Sequence, residues 1–282
     1  WIDETLHAEG GLTTSYRADK ILYEENTGQQ QLVIFDNPTF GRMMTLDGAT
    51  QVSTRDEFIY HEMMTHVPVL AHGAVKSLLI IGGGDGGILR EALRHKSIET
   101  ITMVEIDAGV VAFSKLHLPM VSAGAFDDPR AELVIADGTK FVAETDKRFD
   151  VIIVDSTDPV GPGAVLFEEA FYANAKPCLK AGGVIVTQNG VPFLQPGELT
   201  STIGKFRNLF GDASCYLATI PTYVGGPMAM GWGTDDVALR QTTAPVIAER
   251  FAAAAFSTRY YTPEVHAAAF ALPRYVQNCF PR

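Results

Sequence analysis

An apolar strand runs directly into a glycine loop that holds a single acid, Ile80-Ile81-Gly82-Gly83-Gly84-Asp85-Gly86-Gly87, and this stretch narrows the possible folds most. Glycines let the backbone turn tightly and let a ligand touch the main chain, as a nucleotide or nucleoside site at a strand-to-helix turn requires. The acid then selects the ligand. At contact distance Asp85 repels a phosphate or carboxylate and attracts an ammonium or sulfonium group. The loop suits a cationic nucleoside.

Two kinds of organisation follow one another along the chain. Before about residue 58, alternating segments such as Gln31 to Phe35 and Arg42 to Leu46 are bounded by Asn37-Pro38 and Asp47-Gly48, the punctuation of hairpins. They predict a small antiparallel β domain over residues 1–58. A helical stretch from Glu57 to Leu70 comes next, and strands and helices then alternate as in a parallel, doubly wound α/β sheet over residues 59–282. The strand candidates are Ser77 to Ile81, Thr100 to Glu105, Glu132 to Ala136, Val151 to Asp155 and Val184 to Gln188. Helices are expected near Ile88 to His95, Gly109 to Leu116, Thr139 to Glu144, Glu168 to Leu179 and Gly197 to Phe210. Ser214 to Ile220 and Met228 to Trp232 read as further strands, antiparallel at one side of the sheet.

Composition excludes several classes. With 46% hydrophobic and 20% charged residues, the 282-residue chain reads as an ordinary globular protein with a substantial core. A formal net charge of −11 disfavours nucleic acid and anionic membrane as partners and favours the approach of a polycation. Cys178, Cys215 and Cys279 are odd in number and far apart, which suggests neither a disulfide framework nor a thiolate metal site. No signal segment, membrane-length apolar run or lipidation motif is visible, so the expected location is cytoplasmic.

In a doubly wound sheet, ligands sit outside the carboxyl ends of the strands, and here those ends carry acids in succession. Asp85 follows the first strand. Glu105, with Asp107 beside it, ends the second at a distance that suits hydrogen bonds from ribose hydroxyls. Asp137-Gly138 ends the third, and Asp155 ends the fourth within Asp155-Ser156-Thr157-Asp158-Pro159. Any one such Asp is readily explained as a helix cap. Four in register are harder to dismiss.

Read together with Leu46-Asp47-Gly48, Arg55 to Glu62, Val104-Glu105-Ile106-Asp107, Ile220-Pro221-Thr222-Tyr223, Tyr260-Tyr261 and Ala268 to Pro273, these motifs resemble spermidine synthases, the polyamine aminopropyltransferases, over nearly the whole chain. The resemblance is strongest to the bacterial enzymes. It implies a small N-terminal β domain before a Rossmann-like, methyltransferase-type domain, decarboxylated S-adenosylmethionine as aminopropyl donor, no prosthetic group, and a homodimer or homotetramer. Carried over by residue, it implies that Gln30, Gly82, Gly84 and Asp85 hold the donor, with Asp85 near its propyl ammonium and Glu105 on the ribose. Asp137 and Gly138 would face the adenine. Asp155 is the implied acid-base residue, with Asp158, Tyr60, Gln188 and Tyr223 placing the diamine and His61 and Trp1 lining the pocket. Thr157 to Phe167 would be a flexible loop over the site, its Pro159-Val160-Gly161-Pro162-Gly163 run being poor material for a helix or strand. Relatives usually carry Glu within this loop where Ala164 stands here.

The chemistry independently calls for such residues. Displacement at a carbon next to a sulfonium needs a neutral amine, although an alkylamine has a pKa of roughly 10 and neutralising it at pH 7 costs about 4 kcal/mol. An ordinary Asp near pKa ~4 is a poor base for that proton. Asp158 and desolvation would both raise the proton affinity of Asp155, and Tyr60 or Tyr223 would orient the amine. Intact S-adenosylmethionine would bring a carboxylate toward Asp85, Asp155 and Asp158, and those loops offer no obvious basic residue to receive it.

Other features have plainer explanations. The helix His61-Glu62-Met63-Met64-Thr65-His66 resembles a zinc-protease motif, but histidines five apart leave a common face. The pairs Met43-Met44 and Met63-Met64 read as core filling. Three other readings compete with aminopropyl transfer. A putrescine N-methyltransferase would share the scaffold but needs a site for its donor's carboxylate. A nicotinamide-dependent dehydrogenase would set Asp85 against a pyrophosphate. A non-catalytic polyamine-binding protein leaves the nucleoside features unexplained.

Overall fold

The structure is a computed structural model and describes residues 1–159 and 161–281. Its first part is built from hairpins. Strands β1 (Ile2–Glu4) and β2 (Thr14–Tyr16) pair with each other, and β3 (Lys20–Asn26), β4 (Gln31–Asn37), β5 (Gly41–Leu46) and β6 (Ala49–Ser53) form a four-stranded antiparallel sheet in sequential order. The turn between β5 and β6 is Asp47-Gly48, both at positive φ (49° and 75°), the backbone that matches the right-handed twist of the flanking strands. The first three strands carry no clean alternation, and the sequence reading did not find them.

Helix α1 (Glu57–His72) leads into the larger unit. There follow β7 (Ser77–Gly82), α2 (Gly87–Leu93), β8 (Thr100–Glu105), α3 (Ala108–His117), α4 (Pro119–Ser122), β9 (Ala131–Ile135), α5 (Gly138–Glu144), β10 (Phe149–Asp155), α6 (Glu169–Ala175), β11 (Leu179–Gln188), α7 (Pro196–Leu209), β12 (Asp212–Ala218) and β13 (Met228–Thr234). Helices α8 (Ala244–Ala254), α9 (Pro263–Ala269) and α10 (Arg274–Gln277) close the chain. The seven-stranded sheet has the order β12-β13-β11-β10-β7-β8-β9. The five strands β11, β10, β7, β8 and β9 are parallel, and β13 and β12 are added antiparallel at one side, as the sequence indicated.

Alternation along β7 divides the core. Leu78 and Ile80 pack on the face covered by α1, α2, α8 and α9, whereas Leu79 and Ile81 pack with Val142, Phe171 and Phe206 from α5, α6 and α7. All four Met of the two adjacent pairs are 2% exposed or less, and they fill core as expected. A third cluster joins Leu32, Ile34, Met44 and Val52 of the small sheet to Val110 of α3 and to Leu118 and Val121, and so seats the small sheet against the large unit.

Two expectations need correction. The helix expected to reach Leu179 stops at Ala175, because Pro177 lies in the next turn; a 3-10 turn, Lys176–Cys178, intervenes and Leu179 already begins β11. Gly161–Phe167, read as poor helix material, winds into a 3-10 helix, a form that occurs in short pieces. Val160 of that expected loop lies outside the described residues.

Candidate active site

The sheet brings the acids together by topology. From β7 the chain steps outward to β8 and β9, then returns to place β10 on the other side of β7, so the order reverses between β7 and β10. Asp155, the last residue of β10, pairs directly with Gly82, the last of β7. Gly82 has φ 82°, and a Cβ there would overlap the Asp155 carbonyl oxygen; only glycine fits where the two strand ends diverge.

A cavity opens at this reversal point. Its wall includes Gly82, Gly84, Asp85, Glu105, Asp137, Gly138, Asp155 and Asp158 from the strand ends, Tyr60 and His61 from α1, Gln30 from the small sheet, and Gln188 and Tyr223 from the far side. Of the residues selected from sequence, Trp1 alone is not brought there: it is 78% exposed and outside the wall. Glu4, Leu6, His7, Gln51 and Gln195 also line the cavity and were missed, because they sit on irregular or hairpin segments with no local motif. Ala164 is not on the wall, although Gly163, Val165 and Leu166 are.

Each acid has a different environment. Asp155 accepts a hydrogen bond from the Tyr60 hydroxyl at 2.6 Å. Burial, then the charge of Asp85, push its pKa up to about 6. Asp85 goes the other way: burial raises its proton affinity, but His61 and the Gly87 amide outweigh that and hold it below the usual carboxylate range. Glu105 accepts from the Asp107 amide at 2.9 Å, and burial raises it to about 7. Asp137 spends Oδ1 on the Thr139 amide and hydroxyl at 2.8 and 2.6 Å, capping α5 while still facing the cavity. Asp158 accepts from Gln195 Nε2 at 2.6 Å, and burial raises its pKa.

The neutral groups are held as firmly. Tyr223 donates its hydroxyl to the Gln51 carbonyl at 2.5 Å, tying the loop after β12 to the small sheet. Asp56 fixes the same loop, accepting from the Thr222 amide at 2.7 Å and its hydroxyl at 2.5 Å. Gln188 accepts from the Gly190 amide at 2.8 Å. Gln30 Nε2 is 3.4 Å from Asp107 Oδ2, which also accepts from Thr27, while Oδ1 caps α3, so one side chain anchors both the helix and the hairpin tip.

One charge comes from α1. Among the described wall residues there is no Lys or Arg, and the loops that carry the acids supply no basic residue there, as the sequence indicated, but His61, expected on the wall, is held as a cation: burial lowers its pKa, and the Asp85 and Glu57 carboxylates more than reverse this, to about 10. His66 turns away, toward His95 at 2.9 Å and Glu91 at 3.1 Å, so the two histidines of the zinc-like helix serve separate clusters.

Residues 57–243 match the family model described as the spermine/spermidine synthase domain, and residues 1–54 match the spermidine synthase tetramerisation domain. A polyamine aminopropyltransferase of Ruegeria sp. (strain TM1040) is 59% identical over 281 residues, covering 100% of this chain and 98% of that protein. One from Escherichia fergusonii is 56% identical over 275 residues, with 98% and 95% covered. Among solved structures, a spermidine synthase in complex with the transition-state analogue AdoDATO superposes with a TM-score of 0.91 at 37% identity, over 96% of this chain and 92% of that one. The spermidine synthase from Thermotoga maritima gives 0.88 at 34% identity, with 96% and 90% covered.

Proposed function

The chain belongs to the spermine/spermidine synthase family, and from that premise we propose that it transfers the aminopropyl group of decarboxylated S-adenosylmethionine to putrescine, giving spermidine and methylthioadenosine. In this reaction the amine nitrogen forms a bond to the propyl carbon as the carbon–sulfur bond breaks. The electron pair stays on sulfur, and the amine's proton passes to Asp155. The observation that carries the proposal is Asp155 itself: a carboxylate abreast of the glycine loop, bonded to Tyr60, with its proton affinity raised to about 6.

The fit of the donor is supported by the glycine strand-to-helix turn, by Glu105 at the end of β8 for the ribose hydroxyls, and by Asp85 for the propyl ammonium. Asp137 and Gly138 are assigned to the adenine side, with Gln30 closing over it. Tyr60, Gln188, Tyr223 and Asp158 are assigned to the diamine. Positioning amine, carbon and sulfur nearly in line supplies more of the rate than the base does. We further assign residues 1–58 to a small β domain and 59–282 to a catalytic one. The tetramerisation-domain match supports a homo-oligomer.

The test is to incubate the protein with putrescine and each donor in turn and to identify products by mass. Spermidine formed only with the decarboxylated donor is the expected result. Methylated putrescine formed from S-adenosylmethionine would replace the proposal with methyl transfer, and no product with either donor would reject both.

A further inference from the structure

Behind the glycine loop lies a set of buried groups that the transfer chemistry does not explain. His61 stands between two carboxylates, with Nδ1 2.6 Å from Glu57 Oε2 and Nε2 3.4 Å from Asp85 Oδ2. Arg90 grips Glu57 in turn, its terminal nitrogens 2.9 and 3.2 Å from the two oxygens. Gly87 forms the floor. Its amide donates to Asp85 Oδ1 at 2.8 Å, and a Cβ there would overlap three atoms of the His61 ring. Gly87 is the first residue of α2 and is not among the glycines with positive φ, so the ring, rather than backbone freedom, accounts for glycine at this position.

We propose that Glu57 and Gly87, neither of which lines the cavity, are positioning residues for aminopropyl transfer: they seat His61 between two carboxylates, its Nδ1 hydrogen-bonded to Glu57 and its Nε2 side ion-paired with Asp85. A neutral imidazole carries one N–H, so in this seat it would turn a lone pair on one of its carboxylates. The seat therefore selects the cation. That cation faces Oδ2 of Asp85, whose Oδ1 accepts from the Gly87 amide, and its charge favours the ionised form of Asp155. The charged and titratable groups around it are Glu57 and Tyr60 from α1, Asp85 from the loop, Arg90 from α2 through Glu57, and Asp155 from β10. A second consequence concerns selectivity. Because Glu57 and Asp85 already flank the cation, it offers a donor carboxylate little net positive charge.

The proposal rests on the transfer reading, and its test separates the two. In the ligand-free protein, the NMR signal of the His61 Cε1 proton should stay at the imidazolium position through neutral pH and should titrate at least about one pH unit lower in Glu57→Gln, a tenfold change in proton affinity. The acidic limb of kcat/KM should move to higher pH in His61→Ala, which removes the cation beside Asp155, and in Glu57→Gln kcat should fall more than the KM for the nucleoside donor changes. Gly87→Ala should lower Tm in the native background and leave it unchanged in a His61→Ala background, a cycle that isolates the ring contact. If His61 titrates alike in the native protein and Glu57→Gln, or if Gly87→Ala costs the same Tm in both backgrounds, the proposal fails. Absence of any turnover by the native protein would instead reject the transfer reading, and the spectra and the Tm cycle would still decide whether the seat exists.

Discussion

Asp155 joins two demands that oppose each other. A carboxylate proposed to take a proton from an amine needs raised proton affinity, and here burial and Asp85 supply it, to about 6. The same burial costs stability once the group ionises. The folded state keeps this proton up to about pH 6, whereas the unfolded chain releases it near pH 4, so the cost develops as pH rises through that window and is complete above it. Asp155→Asn should therefore raise stability above pH 6 by on the order of 1 to 3 kcal/mol and change it little below pH 4, measured by denaturant unfolding at both pH values. Its turnover should fall by orders of magnitude while the donor still binds, measured by calorimetry. Near-normal turnover would remove Asp155 from its assigned role. Tyr60→Phe gives a finer test: losing the 2.6 Å donor leaves the carboxylate less stabilised, so the acidic limb of kcat should move to higher pH.

At the scale of elements, the loop after β12 shows how a site is completed from outside its own sheet. Tyr223 faces the cavity, but what holds it comes from elsewhere: Asp56 before α1 takes the Thr222 amide and hydroxyl, and Gln51 of β6 takes the Tyr223 hydroxyl. Asp56→Ala leaves two buried donors without a partner. It should cost about 1 to 3 kcal/mol in denaturant unfolding and raise the KM for the diamine several-fold, with donor affinity unchanged. An unchanged KM would show that the loop is held by Gln51 alone. The strand-end acids were legible in the sequence because β7, β8 and β10 are apolar runs that stop at a carboxylate or a glycine, so position along the strand also fixes position in the sheet. What escaped notice follows no such rule. Glu4, His7 and Gln195 reach the cavity from segments whose sequence carries no period, and the His61–Asp85 pair joins residues 24 positions apart through a helix–loop contact that no local pattern encodes. The C-terminal helices were missed for a related reason. In α8 only Ile247 is buried, too little to mark an apolar face.

For the whole molecule, net charge and cavity charge act in the same direction. The chain carries a formal −11, and the described cavity wall joins several carboxylates to no Lys or Arg. His61 does not reverse this, since Glu57 and Asp85 already neutralise it. A dicationic diamine should thus be drawn in by a field that extends beyond the contact residues, and salt should screen that field over a Debye length of about 10 Å at 0.1 M. Raising ionic strength from about 0.02 to about 0.5 M should lower kcat/KM for putrescine several-fold, chiefly through KM. Methylthioadenosine supplies the control. It has the donor's nucleoside without the sulfonium or ammonium charge, so its inhibition constant should stay nearly constant over the same range. A parallel loss in both would mean that salt loosens the site as a whole, for instance by weakening the Asp107 anchor of the Gln30 hairpin tip. A loss confined to the amine would assign the effect to charge at long range, which is what one acidic surface serving two cationic substrates requires.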